Sequence, residues 1–327
     1  MKLILGTMNI EYPWTSNSDR SIKNYKSIID YYIDSVDNPI LDTAYYYANT
    51  KTENILGQII PELKKTPIIA TKANPWYQND FSNGKFGQLS KDNLIRQFEE
   101  SRKNLVLDQI DIFYLHCWDW ETPITETLDT CTELWRKEKF NEFGISNFSL
   151  NQITQVLELI ESNEYCPVKY YQGMYNLLAR KIEETFDILN TNKIEFWAYN
   201  PLAGGLLTSK YKNQLNDINL NLELESRFKL NPIYQNIFWK KPILNGIKEF
   251  VNLVEPHPTS YSLNWYNSNY NHSTPKSFGL ILGASTLDQI KQNLNLIKQN
   301  QDLSQQVYLD LDFEYNNFSN ESPNYYY

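Results

Sequence analysis

Four side chains suited to proton transfer fall at the ends of short apolar runs. Lys72 closes PIIATK (67–72), His116 closes QIDIFYLH (109–116), Asp42 follows Ile40 and Leu41, and Tyr47 lies in the loop just after Asp42. A tyrosine is a weak acid near neutrality, with a reference pKa of about 10, but an ammonium close to its oxygen favours the phenolate. Lys72 would supply that charge, Asp42 would hold the lysine by ion pairing, and His116 would orient a carbonyl oxygen and share its proton. Given a hydride source, that set reduces carbonyls. Singly, each residue has a plainer reading. A lysine ending a strand is commonly a surface residue, His116 beside Cys117 suits a hydrogen-bonded core histidine, Asp42 before Thr43 suits a turn cap, and Tyr47 is one of 24 tyrosines. What distinguishes them is that all four coincide with one rim of adjacent strand–helix units.

That convergence needs parallel strands. Eight β-rich runs are present: KLILGTM (2–8), NPILDTA (38–44), PIIATK, QIDIFYLH, FNEFGIS (140–146), VKYYQGMY (168–175), KIEFWAY (193–199) and FGLILGA (278–284). Several are apolar at consecutive positions, as in strands buried on both faces of a parallel sheet. Between them run stripes of helical period: Ile22, Tyr25, Ile28, Ile29, Tyr32 and Ile33; Leu128, Cys131, Leu134 and Trp135; Ile153, Val156, Leu157 and Ile160. Ser149 and Gln152 form a capping-box pattern ahead of the third. Strand–helix repetition without an early GxGxxG favours a (β/α)8 TIM barrel, an α/β fold, over a doubly wound sheet. We expect a single domain over 1–327, with a long insertion between strands 7 and 8 that carries at least one extra helix around 242–254. The tail NESPNYYY is expected either to fray or to fold over the catalytic face.

Composition narrows the partners. Thirty Lys and Arg against 39 Asp and Glu give a net charge of −9, which argues against nucleic acid or an anionic membrane. Three cysteines and three histidines offer neither a disulfide framework nor zinc-like spacing, so a reducing compartment and no metal are expected. Apolar runs are far shorter than the roughly 20 residues of a membrane span, and no signal sequence is evident, so a cytoplasmic location is expected.

The sequence resembles the aldo-keto reductases, most closely the aflatoxin-aldehyde (succinic semialdehyde) reductase branch. The resemblance rests on LGTM (5–8), LDTAYYYANTKTENILG (41–57), IATK (69–72), DIFYLH (111–116), FGISNFS (143–149), YQGMYN (171–176), YNPLAGGLLTSKY (199–211), SRF (226–228), ILGASTLDQIKQNL (281–294) and PNY (323–325). It implies a tetrad of Asp42, Tyr47, Lys72 and His116 with Tyr47 as general acid, and NADPH as cofactor. It further implies that Ser146, Asn147 and Gln172 bind the nicotinamide carboxamide, that Tyr199 stacks on its ring, and that Asn200 and Leu202 belong to the cofactor site. Gly204 stands where backbone must pass close to a ligand, and amides exposed there would suit a pyrophosphate. Lys210 and Arg227 flank the same insertion, and a phosphate at Ser285–Thr286 would gain amide donors and a helix dipole. In the family, Gln289 and Asn293 lie near the adenine.

Two departures from the family pattern bear on selectivity. Gly283 and Gln289 stand where many relatives outside this branch carry a lysine and an arginine, so a moderate rather than absolute preference for NADPH is expected. Ile237 and Tyr327 stand where the branch places arginines facing the substrate. Met8, Tyr46, Trp76 and Trp239 are expected to line the pocket, with a small-molecule carbonyl as substrate; the resemblance also leaves a homodimer open. The alternative is a nicotinamide-binding regulatory or scaffold subunit like the channel-associated β subunits. The short stretch ahead of Leu3 holds no tether or plug and favours the enzyme.

Overall fold

The structure, a computed structural model, describes residues 1–11, 21–80, 84–211, 232–268, 274–299 and 303–326. Parallel strands β1 (Lys2–Gly6), β2 (Ile40–Asp42), β3 (Ile68–Ala73), β4 (Ile110–Leu115), β5 (Phe140–Ser146), β6 (Val168–Met174), β7 (Glu195–Tyr199) and β8 (Phe278–Gly283) pair in sequence order, and β8 returns to β1 to close a barrel. All eight predicted runs are strands, with ends displaced by a residue or two. The helices are α1 (Ile22–Ser35), α2 (Lys51–Ile59), α3 (Lys91–Asn104), α4 (Ile124–Arg136), α5 (Leu150–Asn163), α6 (Phe186–Thr191), α7 (Pro232–Phe238), α8 (Lys241–Val254), α9 (Pro258–Asn264), α10 (Leu287–Lys298) and α11 (Gln305–Phe318).

Local sequence explains the joints that matter. α1 buries Tyr25, Ile28, Ile29, Tyr32 and Ile33, the stripe that its spacing predicts. The Tyr32 hydroxyl accepts from the Ile40 N–H at 3.0 Å and lies 2.8 Å from the Leu3 carbonyl, tying the helix to β1 and the short β2. At α5, Ser149 and Gln152 close the predicted capping box in both directions.

Side chains alternate across each strand, so residues two apart share a face. Ile4, Ile40, Ala70, Ile112, Tyr114, Trp197 and Ile281 fill the barrel interior, while Leu41, Ile69, Phe113 and Leu115 face the outer core under the helices. The same alternation turns Asp42, Lys72 and Gln172 inward, one step above Ile40, Ala70 and Tyr170. Gly144 is required here because a Cβ at that position would lie 2.3 Å from the Tyr114 ring. Tyr114 thus plugs the barrel directly beneath the rim.

Among the described residues, the insertion holds the helix expected around 242–254 and two more. α7, α8 and α9 all lie between β7 and β8, with α8 packed on α11 and α9 on α10. Of the two readings of the tail, folding over is observed: Tyr325 is 2% exposed. Among the described residues, no helix is long and apolar enough to cross a membrane.

Candidate active site

The ends of β2, β3 and β4 bring four expected residues together. Lys72 is fully buried, and its Nζ donates to Asp42 Oδ1 and Oδ2 and to the Thr43 carbonyl, each at 2.8 Å. The ammonium lies 5.2 Å from the centre of the Tyr47 ring, and the Tyr47 and His116 rings are 5.8 Å apart, edge to face. His116 begins the loop after β4, where its N–H donates to the Ala73 carbonyl at 2.8 Å. This is the rim arrangement that the alternation of inward residues requires.

Burial and charge set the protonation states. Desolvation lowers the Lys72 pKa, and the adjoining Asp42 carboxylate opposes that shift by attraction and hydrogen bonding. His116 is held well below its ordinary value, first by burial and then by the Lys72 charge. It is therefore a neutral imidazole at neutral pH, and its Nδ1 is buried with no hydrogen-bond partner.

A second group adjoins the first. Ser146 and Gln172 are register partners across β5 and β6, and Gln172 Nε2 donates to Asp42 Oδ1 at 2.8 Å. Asn147, in the left-handed conformation, donates from Nδ2 to the His116 carbonyl at 2.9 Å and to Ser146 Oγ at 3.1 Å. The Tyr199 hydroxyl donates to Asn147 Oδ1 at 2.8 Å. One continuous hydrogen-bonded chain links Tyr199, Asn147, His116 and Ser146, and another joins Gln172 to the Asp42–Lys72 pair.

The expected phosphate side is arranged differently from the sequence reading. The amides of the glycine turn do not stand free: Gly204 N–H donates to Asn200 Oδ1 and Gly205 N–H to the Leu202 carbonyl, both at 2.8 Å. Left-handed φ angles at 204 and 205 (68° and 100°) curl the chain back on itself, which brings those acceptors into reach. At α10, the Thr286 side chain caps Gln289 N–H at 3.2 Å, and Gln289 Oε1 takes the Ser285 N–H at 2.8 Å. Gln289 thus caps its own helix start. Gly283 ends β8, Asn293 is buried on α10, and Lys210 is exposed with its Nζ 5.2 Å from the Tyr211 ring centre. Arg227 and Tyr327 lie outside the described residues.

Aromatic rings gather beside His116. Trp76 lies 5.0 Å from it and Tyr46 6.3 Å, with Tyr46 and Trp76 edge to face at 4.9 Å. Met8 packs against the Ala44–Tyr47 cluster with Tyr46. Ile237 and Trp239 pack against the core from the insertion, and Lys240 Nζ lies 3.4 Å from Glu321 Oε2 of the tail.

Sequence reasoning missed Glu53, which is fully buried on α2 just outside β3. Its carboxylate accepts from Thr71 Oγ1 at 2.6 Å and from Ser101 Oγ at 3.0 Å, the first of these next in sequence to Lys72. The available signal was an acid three positions before Leu56 on the apolar face of a helix. Burial pushes its pKa up from 4.5 to about 7 despite both hydroxyls and the Lys72 charge. A folded-state pKa above the unfolded one gives stability that is complete below the unfolded value and lost as pH rises through the folded value. The unfolding free energy should fall between about pH 4.5 and 7, and Glu53→Gln should remove on the order of 3 kcal/mol of that fall. Parallel curves for the two proteins would show that Glu53 does not titrate there.

Comparison with known proteins shows the family and the fold. The profile of the Aldo/keto reductase family matches residues 2–312. Aflatoxin B1 aldehyde reductase member 2 of Rattus norvegicus is 36% identical over 303 residues, covering 88% of this chain and 78% of the relative. The Homo sapiens protein of the same name is 38% identical over 271 residues, covering 78% of this chain and 72% of its own length. The glycerol dehydrogenase of Gluconobacter oxydans shares the fold, with a TM-score of 0.74 at 23% identity over 98% of this chain and 92% of that one. The chain belongs to the aldo/keto reductase family, whose members are NAD(P)H-dependent carbonyl reductases, and is an oxidoreductase acting on aldehydes or ketones.

Proposed function

We propose that the protein reduces a neutral, largely aromatic carbonyl with NADPH, and that Tyr47 gives the proton to the carbonyl oxygen. The observation that carries this reading is the buried Asp42–Lys72 pair set beside Tyr47 and a neutral His116. A positive charge 5.2 Å from the phenol ring stabilises the phenolate left when the proton departs. Asp42 keeps that ammonium in place, and Gln172 fixes Asp42 from the other side. Because His116 is neutral, it has no imidazolium proton to give, and its role is to orient the oxygen.

The donor set fits a nicotinamide. A primary carboxamide carries both an acceptor and donors, and it would meet the Ser146 hydroxyl, the Asn147 amide and Gln172 Oε1, the end of that side chain not given to Asp42. Tyr199, tethered to Asn147, offers an aromatic face. Asn200 and Leu202 after β7, with Lys210 and Arg227 beyond them, and Gly283, Gln289 and Asn293 at β8 and α10, would take the remainder. When bound, the reduced cofactor supplies the hydride that turns the carbonyl carbon into an alcohol carbon.

The deciding experiment follows loss of reduced-nicotinamide absorbance with NADPH and NADH across aldehydes and quinones. Turnover with NADPH preferred supports the reading. Tight cofactor binding without turnover of any carbonyl would favour a binding subunit, and equal affinity for both cofactors would remove the phosphate site.

The substrate class we propose rests on the residues expected to line the pocket. Tyr46, Trp76 and Met8, with Ile237 and Trp239 of the insertion proposed to complete the wall, would offer burial and stacking but nothing to offset a desolvated carboxylate, and Lys240 is engaged by Glu321. An aromatic aldehyde or quinone should therefore show kcat/KM at least about 10-fold above that for succinic semialdehyde. A preference for the semialdehyde would place a cation in the pocket.

A further inference from the structure

The tail after α11 is fastened to the barrel at points that continue into the carboxamide group. Ser322 Oγ donates to the Leu178 carbonyl at 2.9 Å, and Lys181 Nζ lies 3.3 Å from Asn324 Oδ1. Upstream, Arg180 is ion-paired with Asp312 of α11 at 2.5 Å and its guanidinium lies 4.8 Å from the Tyr315 ring centre, so the tail leaves from an anchored helix. Tyr325 then drops into the body of the protein. Its hydroxyl donates to Glu184 Oε1 at 2.6 Å and accepts the backbone N–H of Leu150 at 3.0 Å.

Leu150 is the first residue of α5, and a first-turn N–H has no partner within its own helix. Only Phe148 and Ser149 separate it from Asn147. The Phe148 carbonyl takes the Tyr171 hydroxyl at 2.7 Å, and Asn147 N–H donates to the Gln172 carbonyl at 3.2 Å. Tyr325 therefore joins three segments: the turn from β5 into α5, the stretch after β6 that carries Glu184, and the C-terminus. Burial holds its hydroxyl protonated, so the single proton goes to Glu184 and a lone pair remains for Leu150.

We propose that Tyr325 is a positioning residue for the nicotinamide half of the cofactor site, its hydroxyl holding the start of α5 so that Ser146 and Asn147 keep their places at the strand ends. This rests on the cofactor reading given above. Tyr325 touches neither substrate nor cofactor in this account. The expected signature is uneven along the dinucleotide: contacts made by the turn at 146–149 weaken, while those at the start of α10 do not.

The test measures dissociation constants of NADPH and of 2′-phospho-ADP-ribose, which lacks the nicotinamide, for wild type and Tyr325→Phe. The variant keeps the ring and removes only the hydroxyl. NADPH should bind at least about 3-fold more weakly, with binding of the fragment unchanged. Glu184→Ala should show the same uneven loss, and Glu184→Gln, which keeps an acceptor oxygen, should restore NADPH affinity towards wild type. These two variants also carry the test if Tyr325→Phe does not fold. Equal weakening of both ligands, or no change in either, overturns the inference. Wild type that binds neither ligand overturns the cofactor reading and this inference with it.

Discussion

Tyr47→Phe is expected to lower turnover by at least about 10²-fold while leaving NADPH affinity within a few-fold, because it removes a proton and little else. The ring would stay packed with Met8 and Tyr46, and the Asp42–Lys72 pair is made without the hydroxyl. The neutral state of His116 makes the expectation strict, since the nearest alternative acid lacks its second proton at neutral pH. Stopped-flow or steady-state comparison at saturating NADPH checks it. Turnover within about 10-fold of wild type would move the acid elsewhere, with His116 the first residue to test.

Lys72→Met should cost both activity and stability. The ammonium is fully buried and makes three hydrogen bonds at 2.8 Å, two to Asp42 and one to the Thr43 carbonyl. Removing one partner of a buried pair leaves the other charge desolvated and uncompensated, which typically costs about 3–5 kcal/mol. Gln172 alone would then face Asp42. Turnover should fall by on the order of 10² or more, since the charge that favours the phenolate has gone. Replacing Asp42 with Asn in the same chain should add little to either loss. Urea unfolding and kcat of the single and double variants give the coupling directly, and simple addition of the two losses would show that the pair does not act as a unit.

The rim was legible because it depends on short-range facts. An inward residue stays inward at every second position, so Ile40 and Asp42, or Ala70 and Lys72, needed only a strand of the right polarity to place them. The capping box at Ser149 and Gln152 marked the turn that holds Asn147, and it forms as read. Glu53 was not legible as a buried acid because a helix position says nothing of what hydroxyls lie across from it. Thr71 and Ser101 come from β3 and α3, and only their packing on α2 makes room for a carboxylate.

Periodicity, strand polarity and loop position by themselves determined the eight-stranded barrel and the rim on which Asp42, Tyr47, Lys72 and His116 meet. They did so because each of these follows from the chain's neighbours a few residues away. Which polar groups remain open to a ligand was not readable from spacing, because it depends on local turn and side-chain geometry. Gly204 and Ser285 look from sequence like free amide donors, yet Asn200, three-dimensionally folded back, and Gln289, one helical turn on, take those hydrogens. The fate of the tail was decided by tertiary structure alone. The stretch PNYY (323–326) has no local reason to be ordered, and it becomes so because Glu184 and Leu150, from segments more than a hundred residues away, present one acceptor and one donor to a single buried tyrosine hydroxyl.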